Sequence, residues 1–339
     1  MASKPKAVPC QWISGAEAFR EFATHAGKTQ SAKHIKPLHW YIACRLVIEG
    51  GFDPDRITPR PPFKIETKKT KGKTRHLLSY DPSWGGFGEQ VILGGLKTKN
   101  VDVVVDLNSI GPVLAVSCKG VTKAFRNLTN RMEETIGECT NLHITYPAMV
   151  IGYFAILRAN RTIQDVIEAP DVEDENEPVE AESEASGEIP MSAESATPRQ
   201  IESMKANDIA VLQDGSTVES IVRFHDALRE MTGRRGIRDE ISRYEAMTVA
   251  LIEPKGPEAG TVFPAFPPID SPLQLTLFFQ TLYRRYEERF IHGAPLLAER
   301  GITRRYEWDE DSPIFRRVAT GAEDWPELDY NARMAAGSL

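Results

Sequence analysis

The chain has 339 residues with 48 acidic side chains against 41 Lys and Arg, a formal net charge of −7, and 41% apolar residues, enough for a sizeable core in one large or two smaller domains. Its four cysteines (Cys10, Cys44, Cys118, Cys139) lack C-x-x-C spacing, which argues against a zinc module and against a disulfide framework. No apolar run reaches membrane-spanning length and the first residues lack a signal-peptide core, so a soluble, cytoplasmic protein with reduced thiols is expected.

The acidity is local. Between Asp165 and Glu194 there are twelve acidic residues and no Lys or Arg, and removing those twelve charges from the net −7 leaves the remainder at +5. Poor in large apolar residues and rich in Pro, Ser and Ala, residues 166–199 are expected to be a disordered acidic insert.

In chain order, Ser14-Gly-Ala-Glu17 has capping-box form and opens a first helix through Phe19, Phe22 and Ala26. A second runs from Pro37 to Glu49 and ends at Gly50-Gly51, with Leu38, Ile42, Leu46 and Val47 as its core face and His39 and Trp40 read as packing residues. Between Arg60 and Arg75 stand seven positive residues (Arg60, Lys64, Lys68, Lys69, Lys71, Lys73, Arg75) against Glu66. Such a run is either a solvated loop or a track for a phosphate backbone. After Trp84-Gly-Gly-Phe-Gly88, residues Glu89–Leu96 read as a short helix; the glycines are not a nucleotide loop, because no Lys-Ser/Thr follows.

The centre of the chain is 100–139. Val101–Leu107 and Val113–Lys119 are β-branched runs joined by turn-forming Asn108–Pro112. A hairpin folded about Ile110 sets Asp102 level with Cys118 and puts Ser117 and Lys119 on one face, Val116 and Cys118 on the other. In the following helix, Phe125, Leu128, Met132, Ile136 and Cys139 form a stripe; Glu133 then lies on its flank, facing the sheet edge, and Glu134 points to solvent. An Asp and a Lys on adjacent strands with a Glu from the next helix suit metal-dependent phosphodiester hydrolysis: carboxylates hold a hard cation, and the ammonium steadies the attacking water or developing charge.

These residues resemble the PD-(D/E)XK restriction-endonuclease-like nucleases, whose usual pattern is Asp, a hairpin, then Glu-x-Lys. Here Ser117-Cys118-Lys119 stands where Glu-x-Lys is usual, and Val101 replaces the Pro that often precedes the Asp. A subgroup of type II restriction enzymes also has Ser-x-Lys, with the Glu displaced onto the next helix fourteen positions after the Lys; Glu133 is fourteen positions after Lys119. The resemblance covers about residues 84–157. It implies catalytic Asp102, Lys119 and Glu133 with Ser117 beside them, Glu89 as a secondary ligand, and Mg²⁺, with Mn²⁺ able to substitute, on Asp102 and Glu133. Asp106, on the same strand face as Asp102, is the fallback ligand. Lys123, Arg126, Asn130 and Arg131 are candidates for contacts to double-stranded DNA. Type II enzymes of this layout act as dimers or tetramers.

Further on, Ala148–Leu157 and Met247–Glu253 read as buried strands, Ser216–Glu219 as a capping box for a helix to Gly233, and Leu273–Phe290 as a long aromatic-rich helix, either core or dimer face. The order gives an α/β protein: a restriction-endonuclease-like mixed sheet flanked by helices, formed by 81–165 and 200–300, with an N-terminal helical extension and basic loop over 1–80 and a tail over 301–339. The expected function is a Mg²⁺-dependent endonuclease of restriction or anti-phage defence. A repair or recombination nuclease, or a DNA-binding protein of the same fold with a decayed site, are the rivals.

Overall fold

The computed structural model describes residues 8–25, 34–70, 72–123, 125, 128–169, 207–316 and 325–335. In chain order its principal elements are α1 (Gly15–Thr24), α2 (Lys36–Ile48), β1 (Ile57–Thr58), β2 (Phe63–Thr70), β3 (Lys73–Tyr80), β4 (Gln90–Leu93), β5 (Thr98–Val101), β6 (Val103–Leu107), β7 (Gly111–Val121), α3 (Leu128–Thr145), β8 (Val150–Arg158), α4 (Ile163–Glu168), α5 (Glu219–Met231), β9 (Ala246–Ile252) and α6 (Leu275–Tyr286). A π-helical turn, Glu287–His292, continues α6, and α7 (Pro295–Glu299) follows.

The β-branched run of β6 folds back on β7 with Val103 opposite Val116 and Val105 opposite Leu114, then a bulge sets Asp106 against Pro112. Gly111, at φ 85°, supplies the left-handed turn residue of this hairpin. β7, β8 and β9 run parallel, and the full mixed sheet has the order β1–β6–β7–β8–β9. Every residue of β8 and β9 is buried, as befits strands covered on both faces.

Alternation along β8 sorts the two apolar layers. Phe154 and Ile156 join Phe22 of α1, Leu38 and Ile42 of α2, and Phe278 and Leu282 of α6 on one side. Tyr153, Ala155 and Leu157 join Cys139 and Leu142 of α3 and Phe224 and Leu228 of α5 on the other. Gly152 lets α6 close on the sheet, since a Cβ there would lie 2.8 Å from the Phe278 ring. The chain is therefore an α/β protein with a mixed five-stranded sheet between helices, and the aromatic residues of α6 are core.

Several local expectations give way. Residues 90–93 are a strand, not a helix: Val91 and Leu93 alternate with Ile92, and β4 pairs with β5 in a separate hairpin. Its turn is built against α3, where Asn141 Oδ1 accepts from the N–H groups of Leu96 (2.7 Å) and Lys97 (3.1 Å). A Cβ on Gly94 would lie 2.1 Å from the Asn141 amide, so the close docking of the turn on α3 requires a glycine there. The basic run is a β-hairpin, β2–β3, because Phe63 and Ile65 face Tyr80 and Leu78 across it, while Lys64, Lys68, Lys69 and Lys73 stay exposed at the surface.

Helix α4, opened by a Thr162–Asp165 capping box, occupies the start of the expected acidic insert; residues 170–206, the bulk of that insert, lie outside the described residues. The Ser216 box does not form: Ser216 turns back to Asp214, and α5 starts from Val218 without a side-chain cap. The 301–339 stretch is not a bare tail, for Trp308 and Ile314 are buried against α2 and β3 and Trp308 Nε1 donates to the Val47 carbonyl at 2.9 Å. Among the described residues no helix is long and apolar enough to cross a membrane.

Candidate active site

Asp102 occupies the bend where β5 ends and β6 begins. Its Oδ2 accepts the Cys118 N–H at 2.7 Å, so the carboxylate takes the place of a strand partner at the open edge of β7. This is the neighbourhood expected from the hairpin, with Asp102 beside Cys118. Burial pushes the Asp102 carboxyl up to about 6, against the pull of the Lys119 charge and the Cys118 N–H.

Lys119 points to the α3 side of the sheet, where its Nζ lies 3.8 Å from Glu134. Lys99, on β5, brings its Nζ to 3.2 Å from Glu138 and 3.5 Å from Glu134. Burial opposes the charge of Lys119, but Glu138, Asp102 and Glu134 outweigh it and hold the ammonium above its ordinary range. Burial likewise raises the Glu134 carboxyl, yet Lys119, Lys99 and Arg131 outweigh it and keep it below the usual carboxylate range. Lys119 thus pairs with Glu134 within the field of Glu138 and Asp102, and Lys99 joins Glu134 to Glu138.

Both Glu133 and Glu134 are exposed on the helix, and it is Glu134, not Glu133, that pairs with Lys119. The expected phase counted Phe125 and Ile136 as buried helical positions. Phe125 precedes α3, and Ile136 is 40% exposed. The face turned inward instead carries Thr135, Glu138, Cys139, Asn141 and Leu142, a half-polar stripe that hydrophobicity cannot register. Each polar member is engaged: Thr135 Oγ1 donates to the Arg131 carbonyl, Asn141 holds the β4–β5 turn, and Glu138 pairs with Lys99. Glu134, Glu138 and Asn141 follow one another at helical spacing, and that polar repeat is the signal that finds them.

Ser117 is buried and shares the face of Lys119 by strand alternation. Glu89 is exposed just before β4, near enough for its charge to act on His39 and Cys118. Asp106 is not drawn into the cluster; its Oδ2 accepts from the Gln90 amide at 2.8 Å. Asn130 and Arg131 lie on α3 one turn before Glu134, and the Arg131 charge acts on that carboxylate. Lys123 Nζ donates to the Ala169 carbonyl at 3.4 Å, and Arg126 lies outside the described residues.

His39, read from sequence as packing, reaches Asp102 from α2: its Nε2 is 3.7 Å from Asp102 Oδ1. Burial, helped by the charges of Lys36 and Lys119 and opposed by Glu89, lowers the imidazole to about 4, so it is neutral at physiological pH.

A wide cleft of about 1200 Å³ lies elsewhere, between β3 and 287–311. Ion pairs of Arg75 with Asp309 and Asp311 and of Arg305 with Glu287 run along it, and none of Asp102, Lys119 and Glu134 lines it.

The half-buried Asp102 carboxylate makes a stability prediction. The folded Asp102 titrates near 6 and the unfolded one near 3.8, so the cost of burying its charge grows between those pH values and is complete above 6. In EDTA, Asp102→Asn keeps the acceptor for Cys118 and should stabilise the fold at pH 8 by about 3 kcal/mol, with the gain vanishing near pH 4. Urea unfolding at the two pH values measures it; destabilisation at pH 8 would refute the burial argument.

Comparison of the chain with protein-family models, with curated proteins and with solved structures returned no match.

Proposed function

We propose that the protein is a divalent-metal-dependent DNA endonuclease of the restriction-endonuclease-like class, serving restriction or another anti-phage defence. The observation that carries this reading is the Lys119 ammonium, 3.8 Å from Glu134 on the next helix and acting electrostatically on Asp102 across the hairpin edge. An antiparallel hairpin bearing Asp and Lys, a helix bearing Glu, and a parallel strand after it is the order the resemblance leads one to expect. The relocated carboxylate is then Glu134, fifteen positions after Lys119.

The donor chemistry on this side suits Mg²⁺, which commonly takes one or two carboxylates and completes its shell with water and phosphate oxygens. Asp102 and Glu134 would hold it. When bound, the ion supplies Lewis acidity toward the phosphate and a more acidic water. The chain's own groups do the rest. Lys119, kept charged by its acids, stands ready to hydrogen-bond the attacking water or the phosphoryl oxygens as charge builds. Lys99 anchors Glu138 and Glu134, fixing the orientation of the helix carboxylate. Asn130 and Arg131, one turn away, would meet the phosphate backbone.

The test is plasmid cleavage by the purified full chain with and without Mg²⁺ or Mn²⁺. Discrete fragments that disappear with EDTA are the expected result. Cutting confined to branched or damaged DNA would select the repair alternative, and DNA binding without cutting under either metal would select the decayed one.

A further inference from the structure

Asp102 has a second set of neighbours on the face of β7 away from Lys119. Cys118 alternates with Lys119 and is buried in the apolar layer that holds α2, and from α2 comes His39. The ligand atoms of His39, Asp102 and Cys118 all lie within 4.8 Å of one another. His39 is 3% exposed, and its Nε2, 3.7 Å from Asp102 Oδ1, is buried without a hydrogen-bond partner. An orphaned polar atom of this kind destabilises the fold unless something occupies it, and packing alone does not account for it.

We propose that His39, Asp102 and Cys118 form a three-ligand site for a borderline divalent cation, Zn²⁺ by its chemistry. One nitrogen, one carboxylate oxygen and one sulfur are a zinc-type donor set and a poor one for Mg²⁺, which prefers oxygen alone. Ligand bonds of about 2.0–2.3 Å place tetrahedral donors roughly 3.3–3.8 Å apart. The His39–Asp102 separation already meets this, and the sulfur needs only a small side-chain movement. Binding deprotonates the thiol, whose proton passes to solvent, and leaves the fourth position for water. This inference stands without the nuclease reading. Where both hold, the two metals share Asp102, and Zn²⁺ becomes a competitor of Mg²⁺.

The experiment is Co²⁺ titration of the EDTA-stripped full-length protein, followed by optical absorption. A saturable signal at one equivalent is expected, with a thiolate-to-cobalt charge-transfer band and the intense visible bands of a tetrahedral ion, displaced by Zn²⁺. Cys118→Ser should abolish the charge-transfer band, Cys44→Ser should leave it, and His39→Gln should weaken binding by more than about tenfold. Should Cys118→Ser fail to fold, X-ray absorption of the Zn²⁺-loaded wild type gives the same answer, one sulfur among nitrogen and oxygen ligands. No band in the wild type, an all-oxygen-and-nitrogen shell, or a band that survives Cys118→Ser in folded protein would overturn the site. None of these readouts involves DNA, so a failed nuclease assay leaves the result intact.

Discussion

If the protein is the proposed nuclease, Lys119→Ala is expected to reduce metal-dependent DNA cleavage by at least about two orders of magnitude while DNA binding persists, because its ammonium would act on charge that develops only in the transition state. Glu134→Ala should fall similarly, through loss of the proposed metal carboxylate and of its ion pair with Lys119. Glu133→Ala, one residue away and paired with neither Lys119 nor Lys99 among the described residues, should stay within a factor of about two of wild type, the range of an ordinary surface substitution. Single-turnover cleavage rates, with binding followed separately, decide the matter. Equal loss from Glu133→Ala and Glu134→Ala would mean that the helix is needed only for folding, and robust cleavage by Lys119→Ala would remove the ammonium from the reaction.

Glu245→Ala is expected to destabilise the fold by about 3–5 kcal/mol, the usual consequence of leaving buried charges without their partner. Glu245, fully buried at the head of β9, receives Arg234 Nη1 at 2.8 Å, Arg289 Nη2 at 2.6 Å and the Ile151 N–H at 2.7 Å, with His143 Nε2 3.5 Å away. Arg234 is tied further to the Pro147 and Ile237 carbonyls. The network joins the end of α3, the start of β8 and the start of β9, so its loss loosens the seam that brings α3 to the sheet. Burial raises the Glu245 carboxyl, but His143, Arg289 and the Ile151 N–H outweigh it and hold it below its ordinary value. A depressed carboxylate contributes stability that is complete above its unfolded pKa and is lost as pH falls through the folded one. Wild-type stability should therefore fall steeply in acid below about pH 4.3, and Glu245→Ala should flatten that slope. Urea unfolding between pH 3 and pH 7 measures both; an unchanged midpoint at pH 7 would show that the network contributes nothing net.

Local pattern was enough for much of this molecule. The β-branched runs of β6 and β7, the continuous apolar runs of β8 and β9 and the capping box of α1 announce themselves, because each depends on neighbours in sequence and on burial of whole faces. So did the nearness of Asp102 to Cys118, since a short hairpin leaves little choice of register.

What pattern could not supply was decided by contacts between distant segments. The phase of α3 follows from polar residues buried against a hairpin more than thirty positions upstream, with Glu138 on Lys99 and Asn141 on the Gly94–Lys97 turn. A hydrophobic count sees those residues as surface and therefore turned Glu133 inward and Glu134 out. The strand at 90–93 lacks the length to declare itself and is held by that same docking. His39 reads as one more residue of an apolar helix until α2 packs on the sheet beside Asp102. A residue's period reveals which face it lies on, but only the assembled fold settles what that face meets, because the ion pairs and hydrogen bonds that make a buried polar stripe affordable come from elsewhere in the chain.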